Sequence, residues 1–355
     1  MITDDLYKTI DDGREGLNKG LDSGLEKLDS LTYGIIRENI TLIGASSGSG
    51  KSSITSYIAV YNAYNDYLKS GKTIDIYWLI FSFEMSKIAL FLRLLSMHLW
   101  DEYGLIAPHD TLLSLKDRMS DDIYEKVIAS REWLDGLAER CKIVDKPVTA
   151  RRMYGICKTF AEDHGEFVSV NKGTFNGEEW EAFDYVPKNR QQYLIVLVDH
   201  VKLFDTQPGH TPKQEIDEAC KYLIFFRDKC KFSAYIVQQL NRGHMDMARR
   251  VEGGGVYQDI QLSDFSDTGD TVNAANTVLG IFNPAREKCS KWKDYIIDPR
   301  RGGLGSRARS ITLLKNRDGN ADKSIGLAFY GECHIWKELP RPDEITNYEQ
   351  FLNLF

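Results

Sequence analysis

The sequence predicts an α/β fold, a mostly parallel central sheet with helices on both faces. Three observations carry this. Short runs of strand length, Ile40–Ile43, Tyr77–Phe81 and Leu194–Val198, are apolar or nearly so at every position. Strands buried on both faces read this way, and they are the habit of parallel sheets. Stretches of helical periodicity alternate with them. Between the first strand and the first such helix stands a glycine- and serine-rich loop, Gly44 to Ser53.

The chain has 355 residues, 42% hydrophobic and 27% charged, which are globular values that exclude disordered and fibrous classes. That length supports a sizeable core. No apolar run approaches the ~20 residues of a membrane span. The start, with Asp4 and Asp5, has no basic-then-apolar leader, so a cytoplasmic protein is expected. Cys141, Cys157, Cys220, Cys230, Cys289 and Cys333 form no C-x-x-C pair and read as thiols in a reducing compartment rather than a metal site. The net charge of −7 argues against a nonspecific nucleic-acid coat. Between Pro284 and Arg317, however, ten Lys/Arg face three acids. This basic segment is either a solvated loop or a surface for a polyanion.

In chain order, residues 1–25 read as a short arm, part helix, with Leu6, Ile10 and Leu17 at roughly helical spacing. Strand Ile40–Ile43 leads into the glycine–serine loop and a helix carrying Ile54, Tyr57, Ile58 and Tyr61. A strand spans Ile74–Phe81, and residues 86–140 read as helical, with Leu90, Leu92, Leu94 and Leu95 dense enough for burial. A short strand ends at Val144, and Thr149 is placed to cap a helix through about Ala161. Residues 165–190 hold Gly, Asn and acids without clear periodicity and read as an insertion or a loop. Strand Leu194–Asp199, a helix over about Lys213–Lys229 and strand Ala234–Gln238 follow. Strands Thr277–Ile281 and Ile311–Leu314, a hairpin over Ile325–Trp336 and a C-terminal strap complete the chain. The expected organisation is an arm (1–25), one large domain (26–340) with an insertion at about 165–190, and a tail (341–355).

The loop Gly44-Ala45-Ser46-Ser47-Gly48-Ser49-Gly50-Lys51-Ser52-Ser53 has the strand-before, helix-after setting that a phosphate-binding loop requires. Backbone N–H groups over Ala45–Ser53 would cradle the phosphates of ATP. Lys51 would reach the β- and γ-phosphates, and Ser52 would ligate Mg²⁺. Ala45 stands where the strict pattern has glycine. Asp199, ending its strand, is where open α/β sheets bind ligands, and it suits the Mg²⁺ shell. Glu84, after the next strand, is placed either to polarise an attacking water or to cap the following helix.

Taken in order, these stretches resemble the RecA-like P-loop NTPase motor domain of DnaB-type replicative helicases, over roughly residues 20–335. Leu28-Asp29 with Thr32-Tyr33-Gly34 resembles the start of that domain, and alanine at position 45 is a family habit. Phe81-Ser82-Phe83-Glu84-Met85-Ser86 resembles the "FSLEM" segment, which implies that Glu84 is the catalytic base. Val198-Asp199-His200 resembles the Walker B end. Gln239-Leu240-Asn241-Arg242 resembles "QLNR", which implies a γ-phosphate sensor at Gln239. Leu262-Ser263-Asp264-Phe265 with Thr268-Gly269 resembles the DNA loop "LSDLRESG", with Ser266 in place of its arginine. The resemblance implies DNA contacts at Arg242, Ser266, Asp267 and Gly269, with Arg249 and Arg250 as nearby cations. Lys315-Asn316-Arg317-Asp318-Gly319 resembles "KNRNG", which implies that Lys315 and Arg317 act on the neighbouring subunit's nucleotide. Of the family's N-terminal helical region the resemblance extends only to the short arm, which is expected to correspond to the linker helix that packs on the next subunit.

The resemblance therefore implies a ring-forming ATPase, most simply a hexamer, that translocates on single-stranded DNA and unwinds duplex during replication. Primase or a helicase loader is an implied partner, no membrane is, and the short chain suggests a phage or mobile element. The alternative is a RecA- or KaiC-like DNA-binding ATPase, a recombination mediator or regulator that does not unwind. A third reading is a ring subunit with a structural or loading role. Strand displacement separates the first from the others.

Overall fold

The structure, a computed structural model, describes residues 2–175, 178–241, 250–251, 256–257 and 259–352. Helix α1 (Ile2–Arg14) and α2 (Glu26–Thr32) precede strand β1 (Asn39–Ala45). Helix α3 (Lys51–Ser56) continues through a π-helical turn (Tyr57–Asn62) into α4 (Ala63–Lys69). Then come β2 (Ile76–Ser82), α5 (Lys87–Tyr103), α6 (His109–Leu112), α7 (Asp121–Ala129), α8 (Arg131–Ala138), β3 (Cys141–Val144) and α9 (Ala150–His164). Strands β4 (Gly165–Phe175), β5 (Glu178–Pro187) and β6 (Tyr193–Asp199) lead to α10 (Pro212–Cys230) and β7 (Ser233–Gln239). Short strands β8 (Arg250–Val251) and β9 (Val256–Tyr257) precede a 3₁₀ turn (Leu262–Thr268) and α11 (Gly269–Ala274). The chain closes with β10 (Thr277–Phe282), β11 (Lys291–Trp292), β12 (Tyr295–Ile296), β13 (Ala308–Asn316), β14 (Lys323–Tyr330) and β15 (Ile335–Glu338).

Among the described residues one sheet of nine strands runs β15-β14-β13-β10-β1-β7-β6-β2-β3. From β10 to β3 every neighbouring pair is parallel, whereas β13, β14 and β15 join antiparallel. The central strands are the most buried. β6 is buried at all seven positions and β1 at six of seven, as strands covered on both faces must be. Burying a Val, Leu or Ile side chain contributes about 1.5–3 kcal/mol, so these two strands anchor the core.

One expectation is corrected, one is refined, and one of two alternatives is removed. Residues 165–187 are not a loop: β4 and β5 pair antiparallel from Gly165–Pro187 to Phe175–Glu178. A register shift between Ser169 and Asn171 breaks the alternation that would have shown it. Residues 86–140 are four separate helices; Gly104, at φ 65°, ends α5. The cap of α5 is Ser86, whose hydroxyl accepts from the Ala89 N–H at 3.3 Å, so Glu84 has no capping role.

The arm is fastened by Arg37. Its guanidinium donates to the carbonyls of Leu17 (2.7 Å), Gln191 (3.0 Å) and Gln192 (2.9 Å), and lies 3.9 Å from the centre of the Tyr193 ring. The tail crosses the basic segment, with the Tyr348 hydroxyl accepting from the Ile296 N–H at 3.2 Å. No described helix is long and apolar enough to cross a membrane, and no disulfide joins the six cysteines.

Candidate active site

Strand β1 ends at the buried Ala45, and the loop Ser46–Gly50 turns the chain into α3. Gly48 and Gly50 take left-handed φ of 71° and 99°. A β-carbon on Gly50 would also lie 2.7 Å from Trp336 Cζ2, so both backbone and packing demand glycine there. The Ser49 N–H donates to the Ser46 carbonyl at 3.2 Å, tightening the loop. Helical structure then runs unbroken from Lys51 to Lys69, and its first N–H groups have no intrahelical acceptor. Ser53 supports the far side of this turn, its hydroxyl accepting from Trp336 Nε1 at 3.2 Å.

Three strands deliver side chains to this loop at the C-terminal edge of the parallel sheet. Lys51 is only 7% exposed, and its Nζ lies 3.8 Å from Glu84 Oε2, just beyond β2. Asp199 ends β6 in register with Ser82 of β2, and its carbonyl accepts from the Phe83 N–H at 2.7 Å. Burial raises the Asp199 pKa, while a hydrogen bond with the Ser52 hydroxyl and the Lys51 charge pull it back. Gln239 ends β7 in register with Ala45, exposed at the same edge. Burial and the Lys51 charge hold His200 down to about 4, so it is neutral at pH 7.

Buried polar atoms in folded proteins are nearly always bonded. Seven described side-chain atoms are not, and four of these belong to residues around the loop: Ser49 Oγ, Asp199 Oδ1, and Nε and Nη1 of Arg93. Arg93, on α5, has Asp199 and Glu84 as its electrostatic neighbours. The donor set of Ser52 and Asp199 is all oxygen, with one carboxylate oxygen unspent, and fits Mg²⁺. The cations Lys51 and Arg93 with the loop N–H groups fit a polyphosphate.

Residues 20–102 match the family model for the DnaB-like helicase C terminal domain, a stretch holding the loop, Glu84 and Arg93. A solved ATPase domain has the same fold, with a TM-score of 0.66 at 18% identity over 95% of this chain and 98% of that one. A DnaB-like replicative helicase, whose structure addresses its interactions with primase, matches with a TM-score of 0.64 at 17% identity over 96% and 67%. This chain has the fold of a DnaB-like helicase motor domain. No curated protein matches its sequence.

Within one chain, Lys315 and Arg317 lie far from the loop. β13 runs antiparallel to β10, so its end meets the start of β10, at the opposite edge of the sheet. Lys315 Nζ donates to the Val272 carbonyl at 2.8 Å and Arg317 Nη2 to that of Asn273 at 3.2 Å. Of the expected DNA contacts, Arg242 and Arg249 lie outside the described residues. Arg250, Ser266, Asp267 and Gly269 are placed by backbone only, in β8, the 3₁₀ turn and α11.

The sequence reading missed Gln238 and Arg93. Gln238 faces inward beside Gln239, and its side chain donates to the Phe265 carbonyl (3.4 Å) and accepts from the Thr271 hydroxyl (2.8 Å). It therefore joins β7 to the segment 262–274. Strand alternation signals this, since neighbours on a strand face opposite ways. The signal for Arg93 is a cation on the same helix face as the buried Leu90, Leu94 and Met97.

Proposed function

We propose that this chain is an ATP-driven, ring-forming DNA motor that translocates on single-stranded DNA and unwinds duplex in replication. The observation that carries this is the meeting of Lys51, Ser52, Glu84 and Asp199 at one sheet edge while Lys315 and Arg317 stand at the other. A site split in this way is completed by a second copy, so hydrolysis depends on assembly, as in a hexameric ring.

In this mechanism the N–H groups of the loop and Lys51 bind the β- and γ-phosphates. Ser52 and Asp199 hold Mg²⁺, which when bound neutralises charge on the phosphate oxygens. Glu84, exposed and 3.8 Å from Lys51, takes the proton of the attacking water. Lys315 and Arg317 of the preceding copy stabilise charge on the transferring group. Gln239 senses the γ-phosphate, and Gln238 carries the change to the segment 262–274, where Ser266, Asp267 and Gly269, with Arg242, Arg249 and Arg250, track the DNA backbone. Residues 26–340 act as the motor and the arm packs on the next copy. A primase or loader docks in the cytoplasm of a bacterial or phage-infected cell.

ATP hydrolysis measured with and without single-stranded DNA tests this reading. Wild type is expected to be stimulated by DNA, and Lys51→Ala to lose nucleotide binding and turnover. Turnover in Lys51→Ala equal to wild type would overturn the assignment of the loop.

A further inference from the structure

Apart from Lys315 and Arg317, the basic segment Pro284–Arg317 has no part in the mechanism so far. Its first arginine and an arginine near its end both reach the phosphate loop. Arg286 Nη1 donates to the Ser47 carbonyl. Arg309, near the start of β13, donates from Nε to the Ser49 carbonyl at 3.0 Å. The antiparallel pairing of Ser310 with Phe282 brings this end of β13 to the edge where β1 enters the loop.

We propose that Arg286 and Arg309 are positioning residues of the phosphate loop, holding the Ser47 and Ser49 carbonyls outward so that loop N–H groups converge on the nucleotide's polyphosphate. The inference rests on the proposed function. A trans peptide unit is planar, with its N–H and C=O pointing opposite ways. Fixing the carbonyls of Ser47 and Ser49 outward therefore turns the N–H groups of Gly48 and Gly50 inward. Alternate carbonyls of the loop are gripped, and alternate N–H groups are presented.

The surroundings fit this role. A β-carbon at Gly48 would lie 2.6 Å from Arg286 Nη1, so glycine at this position admits the guanidinium. Arg309 is itself fixed: it is buried, its Nη1 donates to the carbonyls of Ser306 (2.8 Å) and Ala308 (2.7 Å), and its guanidinium lies 5.3 Å from the centre of the Phe329 ring. Burial and then the Arg286 charge bring Arg309 down to about 10, still cationic at neutral pH. Two cations against one loop raise its potential for an anion. These two cations of the segment thus serve the nucleotide rather than DNA.

The test titrates ATP and ADP into wild type, Arg286→Gln, Arg286→Lys, Arg309→Lys and Lys51→Ala, alongside single-stranded DNA binding and thermal melting without nucleotide. Arg286 is exposed, so Arg286→Gln is expected to melt like wild type yet bind both nucleotides about tenfold more weakly, the scale of one charge-assisted hydrogen bond. Arg286→Lys recovers part of the affinity. Arg309→Lys, which keeps the charge and loses the fork, weakens nucleotide binding by at least as much. DNA affinity stays unchanged in the Arg286 variants. Nucleotide affinity of Arg286→Gln within twofold of wild type, or a loss confined to DNA, overturns the inference. If Lys51→Ala loses binding in that same experiment, the phosphate-loop reading survives and only this inference falls. If Lys51→Ala also binds like wild type, both fall.

Discussion

Arg317→Ala tests whether the hydrolytic site is shared between copies. The Arg317 N–H donates to the Asn276 carbonyl at 3.1 Å, one residue before β10 begins, whereas Ala45 at the loop lies level with Ile281. Five residues of strand at about 3.3 Å each put the two some 17 Å apart along the sheet, beyond the reach of one side chain. Arg317 therefore does not reach its own copy's loop, and a role on a nucleotide requires another copy's site. An arginine supplied in trans is worth about 10³–10⁵ in rate. Arg317→Ala is expected to lose turnover on that scale with ATP affinity within a few-fold of wild type. Mixed with an equal amount of Lys51→Ala, it should regain activity, because roughly a quarter of the interfaces in a random closed ring pair an intact Lys51 with an intact Arg317. Steady-state ATPase of the mixture, with subunit exchange verified by fluorescence transfer, reads the result. A mixture no more active than its separate components, in rings that demonstrably exchange, would refute the reasoning.

Glu84→Gln should bind ATP and hydrolyse it orders of magnitude more slowly, with stability unchanged, while Ser86→Ala should lose about 1 kcal/mol in urea unfolding and keep its turnover. The opposite pattern would return Glu84 to a capping role. Gly50→Ala places a β-carbon at φ 99° against Trp336 and should cost at least ~1–3 kcal/mol and weaken ATP binding, read by urea unfolding and nucleotide titration; wild-type values in both would show that the loop tolerates a side chain there. Burial pushes the Asp29 carboxyl up to about 7, with the Ser23 hydroxyl and N–H opposing and Asp22 adding to the rise. The folded form then holds its proton more tightly than the unfolded chain, so stability present below the ordinary carboxyl range is lost as pH rises through about 7. Melting of wild type should fall more between pH 5 and pH 8 than melting of Asp29→Asn; equal falls would assign the dependence elsewhere.

The centre of the parallel half was legible because runs such as Leu194–Val198 and Tyr77–Phe81 are apolar or nearly so, a pattern that burial on both faces forces. The loop was legible because glycines, Lys51 and Ser52 stand at a spacing that geometry requires. Three things were not. The β4–β5 hairpin hid behind its register shift and its acids. The choice between Gln238 and Gln239 turns on one residue of strand phase: the inward Gln238 holds the segment 262–274, and its neighbour faces out. Arg286 and Arg309 meet the loop across 239 and 260 residues of sequence, a distance at which no local pattern reports contact. Lys315 and Arg317 stood out from the sequence only as two of the ten cations of the basic segment, and only the family resemblance gave them a role.

Strand displacement on a forked DNA duplex tests the central claim most directly. Wild type with ATP should release the labelled strand, and should fail to do so with a non-hydrolysable analogue or as Lys51→Ala or Glu84→Gln. ATP hydrolysis stimulated by single-stranded DNA with no strand released, on forks bearing either tail polarity and both tails, would contradict unwinding and favour a RecA- or KaiC-like mediator.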